Sequence, residues 1–231
     1  MLVWVVLAGA LGLVLGAYVP CLAARARDGV AILRPPPTPL GRAGLGARPA
    51  DVAPLVAVGV LFAVLTWRLG LGAALPAYLY LTVVGVALAV IDLRTKRLPD
   101  PLTLPSYAVA LVLLGLAALV TDDGARHFGL ALAGMVALYA LYALLFLIHP
   151  TGVGWGDVKL AGLLGLYLGW LGVDVWAAGT VLGFLLGGLT GIALLASRRA
   201  TRKTEIPFGP FMIAGALLAV VAGSSLGGWG G

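Results

Sequence analysis

The sequence predicts an all-α, polytopic integral membrane protein with about eight transmembrane helices. Composition is the first observation behind this: of 231 residues, 61% are hydrophobic and 10% are charged, whereas soluble domains carry about 25% charged residues. The second is length, since several apolar runs reach the ~20 residues needed to cross a bilayer. The third is the placement of the basic residues, which alternate between two sets of loops. A net charge of +6 would suit a nucleic-acid binder, but in so apolar a chain basic loops set membrane orientation. No nucleic-acid partner is expected, and the lipid bilayer is.

Taken in order, the first helix covers about 2–23. It lacks a basic leading segment, so it reads as a retained helix rather than a cleaved signal. The stretch 24–52 carries Arg25, Arg27, Arg34, Arg42 and Arg48 and the run PPPTP; without helical periodicity it reads as a loop. Helix 2 is expected over 53–69 and helix 3 over 75–91, with Asp92 at its end. The basic loop DLRTKRLPDPLT follows, where Pro99 and Pro101 stop helix continuation. Helix 4 is expected over 104–120, helix 5 over 127–148, helix 6 over 157–171, helix 7 over 175–196 and helix 8 over 207–222. Helix 6 is short and is the candidate to start inside the membrane after a re-entrant turn, a device tolerated where backbone lines protein or water. The chain divides into a reduced N-terminal region, 1–52, and a membrane-embedded unit, 53–231.

With this numbering, thirteen of the fifteen Lys and Arg residues fall on one side and only Arg68 and Arg126 on the other. The positive-inside rule puts the basic side, with Asp92 and Asp157, at the cytoplasmic face and both termini outside. Glycines at four-residue spacing, Gly179, Gly183, Gly187 and Gly191, and Ala161, Gly165 and Gly169 in the preceding helix, mark seams where backbones approach closely. They are expected to bring helices 6 and 7 together.

Nine acids are present. Asp28, Asp51, Asp100 and Glu205 fall in cytoplasmic loops, and Asp122, Asp123 and Asp174 in outer turns, where a solvated charge needs no further account. Asp92 and Asp157 each join directly to an apolar helix on the same side, and acids near a bilayer core are functional candidates. Two carboxylates brought together share a proton, so one acts as base on a water while the other donates to a peptide carbonyl oxygen. A structural reading stands beside this one. Asp157 caps helix 6 at its positive end, and Asp92 pairs with Arg94, Lys96 or Arg97. Gly152, Gly154 and Gly156 precede Asp157 and allow backbone conformations closed to other residues, and close approach of another chain.

These stretches carry a resemblance. GVGWGDVKLAGLLGLYLG resembles the signature of the prepilin peptidases, the type IV leader peptidase family of G-x-G-D membrane aspartyl proteases. IDLRTKRLPDPLTLP is similar to that family's first-aspartate region, and KTEIPFGPFMIAGALLA to its C-terminal proline–glycine–proline segment. The three lie in family order over about 75–222. The resemblance implies an aspartic endopeptidase of the cell membrane. Asp92 and Asp157 would form the catalytic dyad and remove the short basic leader of a prepilin or pilin-like precursor at the cytoplasmic face. Gly154, Gly156, Lys159 and Gly209 would support the site, Lys159 by holding the loop or steering an acid, or simply as an orienting charge, and Gly209 by a tight turn. Glu205, in a cytoplasmic loop, is a further candidate for contacting the basic leader. No metal and no cofactor are implied.

Departures narrow the expectation. Many family members carry paired C-x-x-C motifs after the first helix and also methylate the new N-terminus. This chain has Cys21 alone, too few for such a site, so methyl transfer is not expected. Asp100 stands where relatives often have an amide. The competing classes are a small acid-lined transporter or channel, which places acids near the midplane at broken helices, and a non-catalytic scaffold. An intramembrane metalloprotease lacks its H-E-x-x-H, and His127 and His149 sit at opposite ends of helix 5, the interfacial positions of polar residues.

Overall fold

The computed structural model describes residues 1–27, 49–149, 152–198 and 206–223. These form helices α1 (Leu2–Gly16), α2 (Val19–Arg27), α3 (Pro49–Leu69), α4 (Leu75–Thr95), α5 (Asp100–Ala118), α6 (Gly124–Ile148), α7 (Trp155–Trp170), α8 (Val173–Ala196) and α9 (Gly209–Gly223), with no strand among the described residues. Six stretches are long and apolar enough to cross a membrane: 2–23, 52–69, 75–95, 100–118, 124–148 and 173–196. The protein is an all-α multi-pass membrane protein. Most of the loop after α2, the segment with Glu205 and Lys203, and the glycine-rich tail lie outside the described residues.

The expected first helix is two, joined by a turn at Ala17 and Tyr18. Helix starts also move. Pro101 sits in the first turn of α5 behind Pro99 as N-cap, where the missing N–H would have had no helical acceptor; α5 therefore begins four residues earlier than its proline pattern suggests. α4 runs past Asp92 to Thr95. Thr95 Oγ1 donates back to the Ile91 carbonyl at 2.9 Å, and Lys96 closes the helix in the left-handed conformation, its N–H on the Asp92 carbonyl.

α7 is the axis of the bundle. Its 16 residues span about 24 Å at 1.5 Å each, short of the ~30 Å hydrocarbon layer. Every residue from Leu160 to Trp170 is buried, so α7 is apolar on all sides because all its sides meet protein. The lipid-facing work falls to the long helices, whose outward residues include Val112, Leu116, Val136, Leu189 and Ile192.

The glycine seams exist, but between other partners than expected. An added Cβ on Gly165 or Gly169 would run into backbone of Gly134 or Leu130, so these residues seat α7 on α6. A Cβ on Gly183 would lie 3.3 Å from Met212 Cα and one on Gly187 would run into the Phe208 ring, so this stripe seats α8 on α9. The glycines of the two stripes do not meet each other: α6 takes the first and α9 most of the second, whose first glycine, Gly179, also lies against Leu168 of α7. A third seam joins α1 to α3, where a Cβ on Gly12 would lie 2.8 Å from Phe62 and one on Gly16 2.8 Å from Leu55 Cα.

Far from the Asp157 end, polar groups tie off helix ends. His127 Nδ1–H donates to the Trp170 carbonyl at 3.0 Å, and Arg68 Nε–H to the Val221 carbonyl at 2.8 Å. Both acceptors lie in the last turn of a helix, where carbonyls have no helical donor. His127 is thus a helix-end staple. The Tyr78 hydroxyl donates to the Tyr167 carbonyl at 2.9 Å, and Trp176 Nε1–H to the Gly134 carbonyl at 3.1 Å.

Candidate active site

Four helix ends meet at one end of the bundle: the C-terminus of α4 and the N-termini of α5, α7 and α9. The ends of α4, α5 and α7 and their loops line a cavity of about 940 Å³ with Asp92, Asp157, Gly154, Gly156, Lys159, Thr95, Leu98 and Trp155, among others. The two aspartates that lie 65 residues apart in sequence therefore open onto one space.

Asp92 lies in the last turn of α4 and is 4% exposed. Its Oδ2 accepts the Gly209 N–H at 3.0 Å, a buried bond across 117 residues. Gly209 opens α9, so the free amide and the positive end of that helix both point at the carboxylate. The expectation of a tight turn at Gly209 is corrected: the positive-φ glycines are Gly70 and Gly172 among the described residues. Glycine is needed for closeness instead, since a Cβ at position 209 would sit 2.8 Å from Asp92 Oδ2.

Asp157 is the third residue of α7 and is half-buried. Its Oδ2 accepts the Gly154 N–H at 3.1 Å, across three residues. The side chain reaches back over the first turn, the acidic half of a capping box; it satisfies a free amide at the helix start as the cap reading expected, but the N-cap position itself belongs to Gly154. Among the described residues, the other oxygen of each aspartate accepts no protein hydrogen bond.

The glycines before Asp157 also act through space rather than unusual dihedrals. Gly154 is extended, with φ −79° and ψ 148°, a region open to any residue. A Cβ at Gly156 would meet Leu98 Cβ at 3.0 Å, and one at Gly154 would meet Asp157 Oδ2 at 3.2 Å. Gly156 thus lets the loop after α4 lie against the start of α7. Trp155 packs edge-on against Tyr139 and Phe146, with centroids 6.4 and 5.3 Å apart, and fixes that start to α6.

Lys159 Nζ pairs with Asp100 Oδ1 at 2.7 Å. Of the roles open to it, holding the loop is the one met by this contact: it links the first residue of α5 to the second turn of α7. Asp100 is half exposed, and such pairs contribute at most about 1 kcal/mol. The sequence reading missed Tyr107, whose hydroxyl donates to the Lys159 carbonyl. Asp100 itself carried a signal, an acid in a basic loop, but nothing in one dimension ties it to Lys159. The alternative pairing of Asp92 with the basic loop is replaced in the described residues by the Gly209 bond.

Fold and site define a multi-pass membrane protein with a two-aspartate cavity at one end of its helix bundle. Residues 78–196, over half of the chain, match the type IV leader peptidase family, and the chain belongs to that family. It is 38% identical over 154 residues to the prepilin leader peptidase/N-methyltransferase of Aeromonas hydrophila, covering 66% of this chain and 51% of that protein. Proteins of the same name from Pseudomonas putida and Bacillus subtilis (strain 168) are 33% and 30% identical. They cover 75% and 72% of this chain, and 59% and 63% of their own lengths. The chain thus spans roughly half to three-fifths of the curated relatives it matches. No solved structure gives a significant match.

Proposed function

We propose that this protein is an aspartic endopeptidase of the cell membrane that removes the short basic leader from prepilin or pilin-like precursors at the cytoplasmic face. The single observation that carries the reading is the shared cavity, with each carboxylate pinned through one oxygen to a glycine amide at a helix N-terminus. Pinning fixes where the carboxyls sit, which is what general acid–base chemistry demands. One carboxylate takes a proton from water as the water oxygen adds to the scissile carbonyl carbon. The other, protonated, donates to the carbonyl oxygen. As the C–N bond breaks, the carboxyl that took the water proton gives it to the leaving amine and the other takes back a hydroxyl proton from the tetrahedral intermediate, which leaves as the carboxylic acid and returns the pair to its starting state. The two helix N-termini offset the negative charge that the pair carries. Lys159 and Asp100 hold the loop beside the pair; Gly154, Gly156 and Gly209 leave room for it. The reading is of peptidase chemistry alone.

A small acid-lined transporter or channel is the reading this displaces. The acids lie at one end of the bundle rather than midway along broken helices, which favours the peptidase. The test is co-expression with candidate pilin precursors, scored by the leader-sized mobility shift. Asp92→Asn and Asp157→Asn are each expected to remove cleavage, a loss on the order of 10² or more, while the protein stays in the membrane. Full activity in either variant overturns the dyad. Orientation is tested separately: a cysteine replacing Arg97 is expected to react only with reagents applied from the cytoplasmic side, and outside labelling inverts the topology.

A further inference from the structure

Each glycine that anchors an aspartate has an aromatic residue beside it in sequence. Trp155 follows Gly154, and Phe208 precedes Gly209. Both rings reach α6. Trp155 packs on Tyr139 and Phe146, and Phe208 on Tyr142, with the last pair of centroids 6.4 Å apart. Tyr139, Tyr142 and Phe146 are spaced by three and then four positions, so they share one face of α6. That face braces the starts of both α7 and α9. Tyr142 is 2% exposed, and its ring also stacks on Phe184 of α8 at 5.3 Å and 20°. Phe184 in turn lies 5.7 Å from Phe208, so rings from α6, α8 and the start of α9 close on one another. The Phe208 carbonyl accepts the N–H groups of Phe211 and Met212 at 3.1 and 3.2 Å, in the first turn of α9. A fixed Phe208 thus fixes where α9 begins, and the Gly209 N–H with it. Tyr142 and Phe208 lie outside the lining of the aspartate cavity.

We infer that the aromatic face of α6 sets the spacing between the two aspartate carboxyls, with Tyr142 as a positioning residue that acts on Asp92 through Phe208 and Gly209. The inference rests on the peptidase reading, in which one water and one peptide carbonyl must meet both carboxyls at once. A pair used in this way tolerates little drift, since a displacement of about 1 Å costs on the order of 10² in rate. Rings suit the task because they are large and rigid and pack in preferred geometries. One helix face carrying the braces for both anchors ties the local anchor of Asp157 and the distant anchor of Asp92 to a common frame.

The test measures precursor cleavage by the full chain in membranes, with Tyr142→Ala, Tyr142→Phe and, as control, Phe62→Leu in the buried seam between α1 and α3. Tyr142→Ala is expected to lower kcat about tenfold with KM held within about twofold. Tyr142→Phe keeps the ring and is expected to restore kcat. Phe62→Leu is expected to lower thermal stability and leave kcat unchanged. Normal kcat in Tyr142→Ala, or an equal fall in Phe62→Leu, overturns the brace. Failure of Tyr142→Phe to restore kcat assigns the role to the hydroxyl and overturns the ring contact. Gly187→Ala decides the matter if Tyr142→Ala does not insert. It keeps every ring but pushes its Cβ into Phe208, and is expected to lower kcat about fivefold with KM held; an unchanged kcat there overturns the proposal. Absence of cleavage by the unsubstituted protein overturns the peptidase reading itself, whereas loss of the predicted Tyr142 and Gly187 effects in an active protein overturns the brace alone.

Discussion

Asp92 and Asp157 are held by the same kind of bond drawn from different distances along the chain. Asp157 takes its anchor from Gly154, three residues away, within the turn that starts its own helix. Asp92 takes its anchor from Gly209, 117 residues away, at the start of α9. Asp157 is half-buried and keeps its geometry as long as α7 begins where it does. Asp92 is almost wholly buried and keeps its geometry only while α9 stays docked on α4. One half of the site is therefore local structure, and the other half is tertiary structure. The stripe Gly179, Gly183 and Gly215 that seats α8 on α9 belongs to the site in this sense, since it positions the helix whose first amide fixes Asp92.

Substitutions that separate the two anchors put this contrast to the test. The largest effect is expected from Gly209→Ala. The new Cβ lies 2.8 Å from Asp92 Oδ2, so carboxylate or helix must move, and a displacement of this kind costs about 10² in rate. Cleavage assays on the membrane-inserted variant measure it, and wild-type activity would show that Asp92 tolerates a shifted anchor. Gly154→Ala is expected to be milder, a loss within about tenfold. Its backbone conformation is open to alanine, and the contact to Asp157 Oδ2, at 3.2 Å, is relieved by a small side-chain rotation. If Gly154→Ala is as severe as Gly209→Ala, the local anchor is no more forgiving than the distant one. The smallest effect is expected from Lys159→Met. It removes an ion pair to a half-exposed acid, so cleavage should fall within about fivefold, and Lys159→Arg should restore it. A larger loss with no rescue would place Lys159 in contact with substrate.

The sequence made the local half of the site legible. A G-x-G-D stretch entering an apolar run marks a helix start with an acid in its first turn, and α7 begins at Trp155, two residues from the expected start. Asp92 was legible as an acid joined to an apolar run. Its burial was not, because α4 continues for another turn through Thr95 and the left-handed Lys96. The bond from Gly209 left no signal beyond a glycine between two prolines. The same holds for the seams: four-residue spacing shows that a helix has a flat face, but not which neighbour lies on it. Gly165 found α6 and Gly183 found α9.

What the sequence determined by itself is what depends on composition and on neighbours along the chain. That includes membrane residence, the existence of most helices and several of their starts, and an aspartate set in the first turn of a helix. What only the tertiary structure decided is what depends on groups far apart in sequence. It chose which helices share a glycine seam, enclosed the short α7 so that it meets protein on every side, and brought the first amide of α9 to Asp92. The physical reason is that helix formation is settled within a few residues by hydrogen bonds and hydrophobicity. A bond spanning 117 residues exists only once the packed bundle brings its two ends together.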